Sequence, residues 1–292
     1  MSSGCGATDD GVSPPTQTAI SGTEHRATTA PVVEVLENPS PTLEPTTVVS
    51  SVFPSGNRFP ENQLRLYIDF SAPMSNVDGL EEHLRLLDNR GEAVDAPFLP
   101  LGEEFWDHDY QRYSVFFDPR QVKQVIRSNE KLGRLLTAGN SYTLIIAPRG
   151  WRDANGLPLR EEFRKEFVIG PADTTPLDPA SWHLRIPAVE TNQRLAVSFP
   201  GPLDHGLLLR GLVVESADGS RINGDVEVTN WETRWSFTPA QRWAAGSYAL
   251  AALSILEDLA GNRIGVPFEI DAFDPIDERK DAETYRVQFE IR

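Results

Sequence analysis

The chain has 292 residues, of which 39% are hydrophobic, 43 are acidic and 27 basic, leaving a net charge of −16. That length holds about two domains, and the acidic balance disfavours partners built on phosphate backbones or anionic lipid surfaces. A single cysteine, Cys5, excludes an intrachain disulfide and multi-cysteine zinc or iron–sulfur sites, and no apolar stretch approaches the roughly 20 residues of a membrane span.

Residues 1–46 are dominated by Ser, Thr, Pro, Gly and Ala without periodicity. Such a segment buries too little apolar surface to offset its ordering entropy, so it is expected to be a disordered tether. Val32–Leu36 is its one short β-prone run. Ser2-Ser3-Gly4-Cys5 resembles the end of a bacterial lipobox, which makes Cys5 a lipidation candidate. The chain as written carries neither the basic nor the apolar stretch of an export signal. An envelope location therefore presumes a signal upstream.

A first β module is expected over residues 47–170. Leu64, Leu66, Ile68 and Phe70 alternate with Gln63, Arg65, Tyr67 and Asp69, the period of a half-buried strand. Further strands are predicted at 83–87, 114–118, 141–147 and 163–169, with turns at 53–57, 88–91 and 150–156. An insertion at 101–139 interrupts the module. Val122, Val125, Ile126 and Leu132, with Leu135 and Leu136, predict a short helix within it.

Residues 171–180 are short and proline-rich and are expected to act as a semi-rigid hinge. A second module is expected over 181–292. Its predicted strands are 184–186, 194–199, 212–216, 225–229, 234–237, 247–255 and 267–271, and 217–220 is a hairpin turn. Residues 284–291 alternate once more and predict a final strand. It needs an edge to pair with, in the second module or along Val32–Leu36.

The two modules share a motif set in one order. Phe70-Ser71-Ala72-Pro73-Met74 is answered by Phe199-Pro200-Gly201-Pro202-Leu203, and Gly139 with Tyr142 by Gly246 with Tyr248. Asp153-Ala154-Asn155-Gly156 is answered by Asp258-Leu259-Ala260-Gly261-Asn262. Repetition at domain spacing means two copies of one unit. Each Phe is expected to enter a core, each Pro to end its strand, and each Tyr to bury its ring while its hydroxyl caps backbone. These residues resemble the bacterial Ig-like domains of the S-layer SbsA type, over roughly residues 48–273, and the chain is similar to bacterial lipoproteins built from two such modules. The resemblance implies an all-β protein: two tandem Ig-like antiparallel sandwiches behind a disordered tail, with a short helical insertion in the first. It implies no ligand, since such modules serve as spacers, surface-layer units and attached domains.

Chemistry-bearing clusters are few. Glu103, Glu104, Asp107 and Asp109, with His108, form a candidate divalent-cation loop or carboxylate pair. A strand there would put Asp107 and Asp109 on one face and His108 on the other, favouring a polar loop anchored by Trp106. The Asp turns suit calcium less well than backbone capping with Gly or Asn at positive φ. The other histidines are scattered, and there is no Gly-x-Ser-x-Gly elbow, phosphate loop or Gly-x-Gly-x-x-Gly fingerprint. No cofactor is expected. Of the six tryptophans, Trp235 is expected in the core and Trp231 and Trp243 beneath loops; exposed ones would suit sugar rings. The reading is a monomeric, non-enzymatic structural or binding module of the cell envelope, membrane-bound only through Cys5, with a protein or glycan partner. The alternatives are a glycan- or cation-binding module using Glu103–Asp109 or an exposed Trp, and a hydrolase using the same carboxylates.

Overall fold

The structure, a computed structural model, describes residues 44–75, 83–100, 105–118, 135–266 and 284–292. The N-terminal tail with Cys5, most of the predicted helical insertion, and the strand expected at 267–271 lie outside these residues.

Module one contains β1 (Val49–Phe53), β2 (Arg58–Pro60), β3 (Arg65–Phe70), β4 (Leu84–Leu87), β5 (Arg112–Phe116), β6 (Ser141–Ile146) and β7 (Phe163–Gly170). They form two sheets, ordered β1-β3-β5 and β2-β7-β6-β4. All pairings are antiparallel except β2 with β7. Leu66, Ile68 and Phe70 on β3 face Leu144 and Ile146 on β6 and Phe167 on β7 in one core. This is the packing of an Ig-like sandwich, with alternate side chains of both sheets turned inward.

Module two contains β8 (His183–Arg185), β9 (Leu195–Ser198), helix α1 (His205–Gly211), β10 (Leu212–Ser216), β11 (Gly224–Thr229), β12 (Arg234–Pro239), β13 (Gly246–Ala252) and β14 (Tyr285–Ile291). Its sheets are ordered β11-β12-β9-β8 and β10-β13-β14, and all their pairings are antiparallel. Strand for strand, β8, β9 and β12 repeat β1, β3 and β5, while β10, β13 and β14 repeat β4, β6 and β7. The additions are β2 in module one and β11 in module two.

That correspondence gives the C-terminal strand its place. Tyr248 on β13 lies opposite Phe289 on β14, as Tyr142 on β6 lies opposite Phe167 on β7. Both ring pairs stack, at 5.7 and 6.1 Å between centroids. β14 is therefore the closing strand of module two, in the role β7 plays in module one.

The shared motifs behave alike in both copies. Phe70 and Phe199 are buried. The Tyr248 hydroxyl donates to the Ala244 carbonyl at 3.1 Å, and the Tyr142 hydroxyl accepts from the Thr137 N–H at 3.2 Å. Asp153 Oδ1 accepts from the N–H groups of Asn155 and Leu157, and Asp258 Oδ1 from those of Ala260 and Asn262. Gly156 and Gly261 take φ of 77° and 86°, where a Cβ would be strained. Both turns use Oδ1 on backbone, as local Asx turns do, while Oδ2 accepts from a side chain, the Thr47 hydroxyl at Asp153 and the Asn262 amide at Asp258.

Two expectations are corrected, and one element was not foreseen. The stretch read as a hinge is held on both sides. Asn62 and Asp173 exchange two hydrogen bonds, at 2.8 and 2.9 Å, Asn262 Nδ2 donates to the Asp173 carbonyl at 3.0 Å, and the Leu177 N–H donates to the Arg263 carbonyl at 3.0 Å. Residues 43–292 accordingly form one compact unit. Helix α1 was unforeseen: seven residues are too few to show periodicity, although Asp204 caps it by accepting from the Leu207 N–H at 2.9 Å. Trp231 lies under no loop but is 66% exposed, whereas Trp243 is buried with its indole N–H on the Gln193 carbonyl.

Candidate functional site

The charged groups that the fold gathers sit where the two modules meet. β3 turns Leu66 and Ile68 into its own core, so Arg65, Tyr67 and Asp69 point from the outer face. Alternation alone would leave that face wet. Instead Tyr67 is 7% exposed, because the start of α1 covers it. The Tyr67 hydroxyl donates to Asp204 Oδ1 at 2.6 Å, and Arg65 Nε lies 2.7 Å from Asp204 Oδ2. Arg65 also pairs with Glu257, which follows β13. Asp204 thus accepts from a phenol and a helix N–H while it is ion-paired with a guanidinium.

Burial opposes the charge on Arg65, but the carboxylates of Asp204 and Glu257 outweigh it and hold its pKa above the ordinary value. Burial, with the neighbouring Asp204 charge, pushes the Tyr67 phenol up as well. Alongside, Arg112 grips Asp69 with two bonds of 2.6 and 2.7 Å, a fork geometry that fixes orientation. Phe53 stacks on His205 at 3.5 Å. Glu232, from the β11–β12 turn, accepts from the Ser55 N–H at 2.9 Å and faces His205 Nδ1 at 3.4 Å.

This contact leaves no room at Gly206, where an added Cβ would fall 2.7 Å from Tyr67 Cζ. In an open helix Gly→Ala gains up to about 1 kcal/mol. Here Gly206→Ala is expected to lower the thermal midpoint; a raised midpoint would mean that the Tyr67 ring yields freely.

The second turn carboxylate is also part of the junction. Burial, reinforced by the Asp173 charge, pushes Asp258 up to about 6, against the bonds it accepts from Asn262 and Ala260. Its counterpart Asp153 moves the other way: burial raises it, but bonds from the Leu157 N–H, the Thr47 hydroxyl and the Asn155 N–H outweigh that. A carboxyl with a raised native pKa binds more protons folded than unfolded between the two values. Its contribution to stability therefore falls as pH rises from about 4 to about 6 and is level above. Asp258→Asn should remove that fall. Urea unfolding of both proteins across the window checks it, and parallel pH profiles would overturn it.

Beside the ionic contact lies a groove of about 490 Å³, with Phe59, Trp182, Phe199 and Leu259 as its apolar lining and Asp173, Asp178 and Arg58 among its polar residues. A smaller cavity of about 320 Å³ shares Arg58, Pro202 and Leu259 with it and reaches Pro54, Asn57 and Trp231.

Of the residues proposed from the sequence, Asp107 and Asp109 stand exposed on the turn before β5. Asp107 Oδ1 accepts from the N–H groups of Gln111 and Arg112, while Trp106 packs with Phe70, Tyr113 and Trp151 beneath. Glu103, Glu104 and Cys5 lie outside the described residues. Among the described residues, no three His, Cys, Asp or Glu side chains are grouped so as to hold a metal ion. No described helix is long and apolar enough to cross a membrane. Sequence reasoning missed the junction, for which the available signal was an N-cap residue, Asp204, just before His205-Gly206-Leu207-Leu208-Leu209.

No family model matches the chain, and no curated protein matches it in sequence. Among solved structures it is similar to domains 1–6 of the surface layer protein SbsC, at 14% identity and a TM-score of 0.29, over 71% of this chain and 23% of that one. It therefore spans less than a quarter of that SbsC chain. It is also similar to the titin Z1Z2 domains solved with telethonin, at 10% identity and a TM-score of 0.21, over 72% and 90% of the two chains. A third is SGBP-B of the Bacteroides ovatus mixed-linkage glucan utilization locus, at 11% identity and a TM-score of 0.20, over 86% and 46%.

Proposed function

We propose that this protein is a non-enzymatic structural or binding module of the bacterial cell envelope, of the SbsA-type Ig-like kind, carried on a polar tether that starts at a lipidated Cys5. The observation that carries the reading is the use made of the buried charges at the junction. Arg65, Asp204, Glu257 and Glu232 are spent on fastening one sandwich to the other, so the pair is built to hold a fixed geometry. A rigid two-sandwich body on a Ser/Thr/Pro-rich leash suits presentation at a distance from a membrane. The acidic surface suits solubility there and disfavours direct docking on anionic lipid.

The test is intact mass and fractionation of the protein expressed from its own locus with the upstream DNA. A diacyl or triacyl adduct on Cys5 in a membrane fraction is the expected result. An unmodified protein in the soluble cytoplasmic fraction would end the envelope reading. Of the alternatives, the glycan-binding one has a specific observation in its favour, the exposure of Trp231. The hydrolase alternative asks for a cleft around Asp107, where the residues are exposed.

A further inference from the structure

We propose that Trp231 and the cavity beside it bind the pyranose ring of a glycan, with the indole as the stacking platform. The proposal deepens the binding half of the envelope reading, and depends on that reading only for where the glycan would be met.

Trp231 is the most exposed large apolar side chain among the described residues, at 66%. It is also held at a conformational cost. Asn230, Trp231 and Glu232 take φ of 54°, 55° and 61° in succession. Non-glycine residues in that region cost roughly 1–2 kcal/mol each, and a bulky residue there is an outlier. A hairpin needs only Asn-Gly or a similar pair at such a turn, so the strain is not what joining β11 to β12 requires. Strain of this kind persists where the surroundings over-determine it, and it concentrates at functional sites.

The surroundings do over-determine it. The Glu232 side chain is 2% exposed and tied to the Ser55 N–H of the other module. Asn230 Nδ2 donates to Thr233 Oγ1 at 2.7 Å, and that hydroxyl donates to the Asn230 carbonyl at 2.6 Å. Gly56 lies beneath the indole: a Cβ there would come within 3.4 Å of Trp231 Cβ. The residue so held lines the 320 Å³ cavity together with Pro54, Pro202, Asn57 and Arg58.

Charge selects the occupant. A net charge of −16 disfavours a polyanion, so a stacked base on a phosphate backbone does not fit. A cation seated over the indole would meet Arg58 in the same cavity, and the carboxylate that lines it, Glu232, is already engaged by the Ser55 N–H and faces His205. An uncharged ring with an apolar C–H face and hydroxyls at its edge meets neither objection. Its face would lie on the indole and the prolines, and its hydroxyls would meet the Asn57 amide and the Arg58 guanidinium. A mostly apolar pocket with a few polar groups fixing orientation is the usual form of a small-ligand site.

The test is titration calorimetry of the full chain with cello-, chito- and manno-oligosaccharides. Saturable binding of at least one is expected, weakened roughly tenfold or more in Trp231→Ala. Gly56→Val, whose γ-methyls would crowd Trp231 from a Cβ already in contact with it, should weaken binding as well. Thermal unfolding of Trp231→Ala should match the parent, which separates lost contact from lost fold. No binding by the parent to any of the three, or equal binding by Trp231→Ala, would overturn the proposal. Because this is measured on purified protein, it stands or falls independently of the fractionation result that decides the envelope location.

Discussion

Asp204→Ala is expected to destabilise the two-module unit by about 3–5 kcal/mol, the cost of breaking a buried ion pair from one side. The substitution strands three groups at once. Arg65 keeps only Glu257, the Tyr67 hydroxyl loses its 2.6 Å acceptor, and the Leu207 N–H loses its cap. An orphaned buried hydroxyl alone costs roughly 1–3 kcal/mol, and a lost cap about 1. These contributions overlap, because one carboxylate serves all three partners, so they do not add to a larger figure. Urea unfolding followed by tryptophan fluorescence reads the change. Asp204→Asn, which keeps a side-chain oxygen for the helix N–H and the phenol, should lose less than Asp204→Ala. A loss below about 1 kcal/mol in Asp204→Ala would mean that apolar contact, such as Phe53 on His205, holds the modules and the ionic groups only decorate it.

Trp151→Ala should cost a similar amount, about 3–5 kcal/mol, by a different mechanism. Trp151 is fully buried in module one, with Phe70 at 5.1 Å, Tyr113 at 5.6 Å and Trp106 at 6.2 Å between ring centroids. Removing the indole leaves a cavity that these rings cannot close without leaving their own packing. The informative quantity is how the loss is distributed. If the junction couples the modules, calorimetry of Trp151→Ala shows one transition moved to lower temperature. Two separated transitions, with module two melting as in the parent, would show that the junction transmits little and that each sandwich is its own cooperative unit. Combining Asp204→Ala with Trp151→Ala sharpens this, since a junction that couples the modules should, once broken, let the single transition split in two.

Both experiments probe features that differ in how far the sequence discloses them. The strands of each sandwich were legible because alternation is local. Leu66, Ile68 and Phe70 mark an inward face whatever packs against them, and Asp258 with Gly261 announces a turn through its own backbone chemistry. The doubled Phe, Tyr and Asp motifs made the all-β, Ig-like architecture legible for the same reason, and the described strands bear it out; the strand expected at 267–271 lies outside them. The burial of Trp235 follows equally, from its place in β12 with Phe237.

What alternation leaves open is what covers the other face. Tyr67 belongs by period to the outside of β3, and only the arrival of Asp204 and α1, 137 positions along the chain, turns that outside into an interior. The proline-rich linker reads as a hinge from its own composition. It is held because Asn62 and Asn262, one from each module, reach Asp173. The partner of β14 was undecided for the same reason, since any edge strand offers the same backbone groups and only the packing of Phe289 on Tyr248 selects β13. Trp231 was placed beneath a loop because it flanks the strand of Trp235 and Phe237, yet its exposure is set by a turn whose geometry depends on Ser55 and Gly56 of the other module. Sequence by itself determined the two sandwiches and their cores, because period and turn chemistry act over a few residues. Tertiary structure alone decided the junction, the cavity and the presentation of Trp231, because each is made by groups that are distant in the chain and carry no local signature of their meeting.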